Sequence, residues 1–235
     1  MMRPLIDKKI FFYILIFLFF GSLHSQNFNS KKIFNIKDIN ISGLNYDMIY
    51  STSEELNNLK NKNIVEIDKD TIVNILNKNP LIDDFFIFKK YPSTLEISVY
   101  PTTFLANINI DGKNHYIGSN KKFIESQKVD NNIPIIFGKP SIDDFFYIKK
   151  NILNNDLDLK EISKLYFFPS KRWDIEFKNE NLLKLPLNNI DKAISDYLKI
   201  YNSENFKNIK MFDMRIENRL ILNELWRNQL YYFFC

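Results

Sequence analysis

The chain is poor in the residues that usually carry chemistry. Of its 235 residues only 2 are His and 1 is Cys, and that cysteine is Cys235. A Cys/His zinc site and an intrachain disulfide are thereby excluded. A Ser-His-Asp triad has only His24 and His115 to draw on, and neither sits in a suggestive context. The 5 glycines, Gly21, Gly43, Gly112, Gly118 and Gly138, are too dispersed for a Gly-rich phosphate loop. Long basic blocks are also missing. Lys89-Lys90 and Lys171-Arg172 are short pairs, which argues against nucleic-acid binding. Asp83-Asp84 and Asp143-Asp144 are tempting as carboxylate pairs for acid/base work. Adjacent strand residues point to opposite faces, so the first pair does not converge on one bond, and the second pair suits a helix start. The expectation is a non-enzyme with no cofactor, no metal, no nucleic acid and no small-molecule substrate.

What is abundant is apolar and aromatic. The chain holds 22 Phe and 12 Tyr, with 45% hydrophobic and 26% charged residues and a formal charge of +4. That composition builds a core, and the length allows one or two domains.

At the N-terminus, Arg3, Lys8 and Lys9 precede an unbroken apolar run from Ile10 to Phe20, which Gly21, Ser22 and Leu23 extend. A spanning helix wants about 20 apolar residues, whereas the apolar part of a signal peptide has about 7–15. Two readings stay open. Residues 10–28 form an uncleaved transmembrane anchor behind a short cytoplasmic tail, residues 1–9, or they form a signal cleaved near Ser25. The anchor is the preferred reading, and both place the remainder across the membrane.

Two folded modules follow. In residues 33–101, a strand over roughly 36–41 ends at Gly43, and a short helix is expected over Ser51–Leu59 with Ser53 as its cap. Asp68 caps a second helix that stops before Pro80. LIDDFFIFKK is a strand, and TLEISVYP alternates Leu95, Ile97 and Val99 against Glu96, Ser98 and Tyr100. The order is β-α-α-β-β. In residues 102–223, the Asp111-Gly112 and Ser119-Asn120 turns join three strands, and IPIIFG is a buried strand. Ser141 caps a helix carrying Ile142, Phe145, Phe146, Ile152 and Leu153. ISKLYFF, WDIEF and LLKLPL are strands. A helix follows with Leu187, Ile190, Ala193, Ile194, Tyr197, Leu198 and Tyr201 on one stripe. MFDMRI and RLILN close the module around an Asn218 turn. Trp173 reads as core, and Asp213 and Arg215 as a pair within the closing hairpin. The fold class is α+β: an N-terminal membrane helix, the small β-α-α-β-β module, and a larger mixed module with a mostly antiparallel sheet. Residues 224–235 form an aromatic tail.

Several strings then carry a resemblance. ISGL, NIVEIDKDTIVNILNKNPLI and KKYPSTLEISVYPTTFLANI, with Gly43, Pro80 and Pro92 at their turns, look like the POTRA module of FtsQ/DivIB bacterial cell-division proteins. KRWDIEFKNENLLKLPL, with Arg172, Trp173 and Pro186, and FDMRIENRLIL, with Asp213 and Arg215, resemble the family's C-terminal β domain. The sequence departs from that pattern at Tyr100-Pro101, at Glu180-Asn181 and at Leu187. The resemblance implies a non-catalytic inner-membrane protein at the division septum. Its partners would be small FtsB-like and FtsL-like bitopic proteins and other divisome proteins, linked to septal wall synthesis. The expected recruiting surface is the free edge of the last strand, Ile216, Asn218, Arg219, Leu220, Ile221 and Leu222, with Trp226 beyond it. Alternatives are a signal-cleaved periplasmic binding module without a division role, and an envelope hydrolase.

Overall fold

In a computed structural model, residues 8–22, 33–203, 209–216, 219–224 and 227–234 are described. The chain divides into two units, each with its own sheet. Residues 1–78 and 85–99 make the first, and residues 79–84 and 100–235 the second.

Helix α1 (Lys8–Ser22) carries the apolar run. At 1.5 Å per residue its 15 residues extend roughly 22 Å, short of the roughly 30 Å hydrocarbon core. No helix among the described residues is long and apolar enough to cross a membrane. The rest of the expected 10–28 span, residues 23–28, lies outside the described residues, as do His24, Asn218, Trp226 and Cys235.

The first unit runs β1 (Asp38–Ser42), α2 (Tyr46–Asn57), α3 (Lys69–Lys78), β2 (Ile82–Lys90) and β3 (Thr94–Pro101). This is the expected β-α-α-β-β order. The sheet order is β1-β3-β2, with β1 parallel to β3 from Asp38↔Thr94 to Ser42↔Ser98. The central strand β3 buries Leu95, Ile97 and Val99 and exposes Ser98 and Tyr100. Ile72 and Leu76, four apart on α3, are buried with Ile49 and Leu56 of α2. Helix α2 begins earlier than expected. Asn45 precedes it in extended conformation, and Ser53 lies inside it, its hydroxyl donating to the Tyr50 carbonyl at 2.7 Å. Ser53 is therefore a mid-helix residue bonded to the preceding turn, not a cap. Gly43 closes β1 at φ 107°, and a Cβ there would collide with the Val99 carbonyl oxygen. Only glycine meets both conditions. The Tyr91–Pro92 peptide bond is cis.

The second unit holds β4 (Phe104–Ile110), β5 (Lys113–Gly118), β6 (Phe123–Glu125), β7 (Ile135–Phe137), α4 (Ile142–Asn154), β8 (Ile162–Phe167), β9 (Trp173–Phe177), β10 (Leu182–Lys184), α5 (Ile190–Tyr201), β11 (Met211–Asp213), β12 (Arg219–Glu224) and β13 (Arg227–Phe234). The strands form one sheet in the order β13-β12-β11-β10-β9-β8-β7-β4-β5-β6. Register sets Ile136, Leu165, Ile175, Leu183, Phe212 and Leu222 in one continuous row, and all six are buried. Phe145, Ile148 and Ile152 of α4 and Ile190, Ile194 and Tyr197 of α5 belong to the same core.

Several sequence expectations are corrected here. Of IPIIF only Pro134 and Ile136 are buried, and Phe137 is 46% exposed because β7 continues the sheet with one face open. On α4 the buried stripe includes Ile148, while Leu153 points to solvent. Leu187 precedes α5 and is exposed, so it is not part of that helix's stripe. Strand β11 ends at Asp213, leaving Met214 to Ile216 outside it. The segment read as a tail forms β13, paired antiparallel to β12 from Arg219↔Phe234 to Glu224↔Arg227. The edge of β12 is thus occupied, and the end of the sheet lies one strand further out.

Candidate partner-binding surface

The register that builds the core also builds a polar row on the opposite face. Tyr166 lies beside Asp174, Asp174 beside Lys184, Lys184 beside Asp213, and Asp213 beside Ile221. Alternate strand residues point to opposite faces, so two carboxylates bracket one ammonium across three strands. Each carboxylate also has an arginine two residues away in sequence. Arg172 Nε donates to Asp174 Oδ1 at 3.2 Å, and the Arg172 guanidinium lies 4.1 Å from the Phe168 ring centroid. Arg215 clasps Asp213 more completely: Nε reaches both carboxylate oxygens at 2.9 and 3.0 Å, and Nη2 reaches Oδ2 at 2.6 Å. The Arg215 amide donates to the same carboxylate at 3.1 Å. Asp213 and Arg215 therefore pair through a turn that leaves β11, not through two positions of one strand.

The two buried aspartates titrate in opposite directions. Burial pushes Asp213 upward, but the hydrogen bonds and charge of Arg215, with Lys184, outweigh it and hold the carboxyl below its ordinary value. For Asp174, burial dominates over Arg172, the Leu185 amide and Lys184, and the pKa is raised. A lowered folded pKa gives stability that is present above the ordinary aspartate range and is lost as pH falls through the folded value. The raised value of Asp174 acts in reverse: its contribution is present below the ordinary range and is lost as pH rises through the folded value. Asp213→Asn is accordingly expected to lower stability at neutral pH by about 2 kcal/mol. Asp174→Asn should leave it unchanged or increase it. Urea unfolding of both variants at neutral and acid pH measures this, and equal losses would contradict the assignment.

Next to this row a groove of about 560 Å³ opens between α5 and Met214, Arg215, Ile216, Arg219 and Leu220. Ile216 and Leu187 give it apolar walls and are 52% and 53% exposed. Lys192, Asp196 and Lys199 of α5 line it at positions i, i+4 and i+7, one face of the helix. Lys199 pairs with Asp196 at 3.3 Å. Pro186, Arg215, Arg219 and Leu220 also belong to its lining.

The sequence-selected residues are thus partly gathered. Pro186, Arg215, Ile216, Arg219 and Leu220 converge on the groove, while Ile221 and Leu222 lie in β12 beside β11 and β13. Leu220 and Leu222 are buried, so they face the core and not a partner. Trp173 is buried against Phe167, with ring centroids 4.8 Å apart. Gly43 and Pro92 lie in turns of the first unit, and the Pro80 carbonyl accepts from Asn120 Nδ2 at 2.8 Å. Lys192, Asp196 and Lys199 escaped the sequence reading, although their spacing on the polar side of α5 was there to be read. Among the described residues no three His, Cys, Asp or Glu side chains converge as metal ligands.

The family described as cell division protein FtsQ/DivIB, C-terminal, matches residues 106–215, from β4 through the Asp213–Arg215 turn. Across that range the second unit is similar to the C-terminal domain of FtsQ/DivIB cell-division proteins. The matched range contains both aspartates of the polar row and most of the groove, and it stops just before β12. Among solved structures, the chain is similar to the major extracytoplasmic domain of the cell division protein DivIB of Geobacillus stearothermophilus, trans isomer, at 11% identity. That likeness covers 44% of this chain and 94% of that one with a TM-score of 0.33, too slight to bear on the fold. No curated protein matches the chain.

Proposed function

We propose that this protein belongs to the FtsQ/DivIB family and is a non-catalytic component of the bacterial division machinery. It recruits FtsB-like and FtsL-like bitopic proteins and links early and late division proteins to septal wall synthesis. In this reading residues 10–28 anchor it in the inner membrane with residues 1–9 in the cytoplasm. Residues 33–101 act as a POTRA-like domain and residues 102–223 as the β domain, both in the periplasm at the septum. The observation that carries the reading is the family match over residues 106–215, which takes in most of the groove and stops before the terminal strands. The recruiting surface is assigned to Ile216, Arg219 and Ile221, with Asn218 and Trp226, which lie outside the described residues, kept as candidates from the sequence. Leu187 joins them across the groove.

The test uses the full chain in detergent with the FtsB-like protein of the same cells as the probe. Leu187→Asp with Ile216→Asp changes two side chains that are each more than half exposed, so folding should be retained. Capture should fall at least about tenfold, equivalent to about 1.4 kcal/mol. Unchanged capture by the folded double variant would remove the groove from the interface. A fluorescent copy should form a midcell band, and a diffuse periplasmic signal would argue against the division role.

A further inference from the structure

We propose that β13 is an exchangeable occupant of the sheet position beside β12, and that a partner strand pairs with β12 by displacing it. The inference rests on the recruiting function proposed above and adds how access to that surface is controlled.

Four features of the terminal hairpin support this. First, the β12 backbone groups facing away from β11 are those β13 uses, from Arg219↔Phe234 to Leu222↔Tyr231 and again at Glu224↔Arg227. An incoming strand and β13 therefore compete for one set of N–H and C=O groups. Second, the pairing is interrupted between Leu222 and Glu224, a register shift that leaves Asn223 without a β13 counterpart. Asn223 keeps its place opposite Met211, so the break lies on the β13 side alone.

Third, β11 supports β12 only at Ile221, Leu222 and Asn223. Arg219 and Leu220 run beyond the β11 pairing, and among the described strands only β13 pairs with them there. A two-stranded ribbon is only marginally stable in water, so the Phe233–Phe234 end of β13 opens most readily. Fourth, β12 and β13 are separated by just two residues, 225 and 226. A strand tethered so closely returns at an effective concentration of roughly millimolar, which makes it a competitor that is always present.

The register also defines what a replacement strand must look like. Phe233 lies opposite buried Leu220 and Tyr231 opposite buried Leu222. A displacing segment therefore carries apolar side chains two residues apart, in antiparallel orientation. Its affinity is reduced by the fraction of time the β12 edge is covered.

The experiment locks the strand in place. Ile221 and Tyr232 face each other in the pairing, and facing antiparallel residues lie within disulfide reach. Ile221→Cys with Tyr232→Cys is made in a Cys235→Ser background of the full chain in detergent, so that one protein serves oxidised and reduced. Two probes are used: a labelled synthetic peptide of residues 227–234, and the FtsB-like protein of the same cells. A third protein lacks residues 227–235, with folding of all forms checked by circular dichroism. The shortened chain should bind the peptide at least about tenfold more tightly than the full chain. Oxidation of the lock should lower capture of the FtsB-like protein at least about tenfold, and reduction should restore it.

Equal capture by oxidised and reduced forms overturns the proposal while leaving recruitment intact, since the partner would then add outside β13 or elsewhere. A folded shortened chain that ignores the peptide also overturns it. If the peptide arm behaves as expected but no form captures the FtsB-like protein, the recruiting function itself is overturned. Should the cysteine pair prevent folding, the shortened chain decides: it should bind both the peptide and the FtsB-like protein at least about tenfold more tightly than the full chain, and unchanged binding of either overturns the proposal.

Discussion

Leu95→Asp is expected to unfold the first unit, whereas Ser98→Asp, three residues along the same strand, is expected to leave it folded. Leu95 is 0% exposed near the start of the central strand β3, opposite Ile39 of β1, and Ser98 points to the other face. A carboxylate at position 95 has no partner among Ile72, Leu76, Ile97 and Val99, the buried side chains of this small core. An unpaired buried charge costs several kcal/mol, and a whole domain is stabilised by only about 5–15 kcal/mol. Hydrogen exchange on the full chain reads the effect locally. Amides of β1, α3 and β3 should lose protection in Leu95→Asp and keep it in Ser98→Asp. Equal protection in both variants would mean that the assigned core face is wrong.

Trp173→Ala should do comparable damage to the second unit. Trp173 is 1% exposed, and its backbone carbonyl accepts from the Leu185 amide as the chain leaves β10. Truncating a buried tryptophan removes its transfer free energy and leaves a cavity, together about 3–5 kcal/mol. For a unit of this size that is a fall in Tm of about 10 °C or more. Tyr147→Ala, on the exposed side of α4, is the control and should change stability by less than about 0.5 kcal/mol. A loss for Trp173→Ala no greater than for the control would place the tryptophan outside the core.

How far these positions were legible in the sequence depends on whether polarity alternated. TLEISVYP announces its buried face because Leu95, Ile97 and Val99 are separated by polar or amphipathic residues. The helix over Ile190–Tyr201 announces itself in the same way with a period of 3.6. The strings IDDFFIFKK and IDDFFYIKK agree at seven of nine positions, yet the first is strand β2 and the second opens helix α4. Their flanks decide. Pro80 lies just before β2, whereas Ser141 forms a capping box with Asp144, its hydroxyl and amide both engaging the Asp144 carboxylate. That cap was readable.

The terminal hairpin was not. RNQLYYFF places four aromatic residues in succession, without the alternation that marks a half-buried strand, so the sequence reads as a tail. Only the pairing with β12 gives it a register, and that pairing converts the expected free edge into an internal strand. The groove was hidden for a different reason. Pro186 and Ile216 are thirty positions apart, and nothing local says that the turn after β11 returns to the start of α5.

The strand order of the large sheet has a consequence for timing. Every neighbouring pair in it is consecutive in sequence except β4 with β7. The widest pairings, Ile135↔Lys164 and Leu182↔Met211, span 29 positions. Contacts this local favour rapid assembly, because little loop entropy is lost before each strand finds its neighbour. A polypeptide emerging from its N-terminal end can therefore add one strand after another to a growing edge. β12 is in place before β13 has been delivered, so if β13 is displaced as proposed above, each newly made molecule passes through an interval in which a partner strand would meet no competitor.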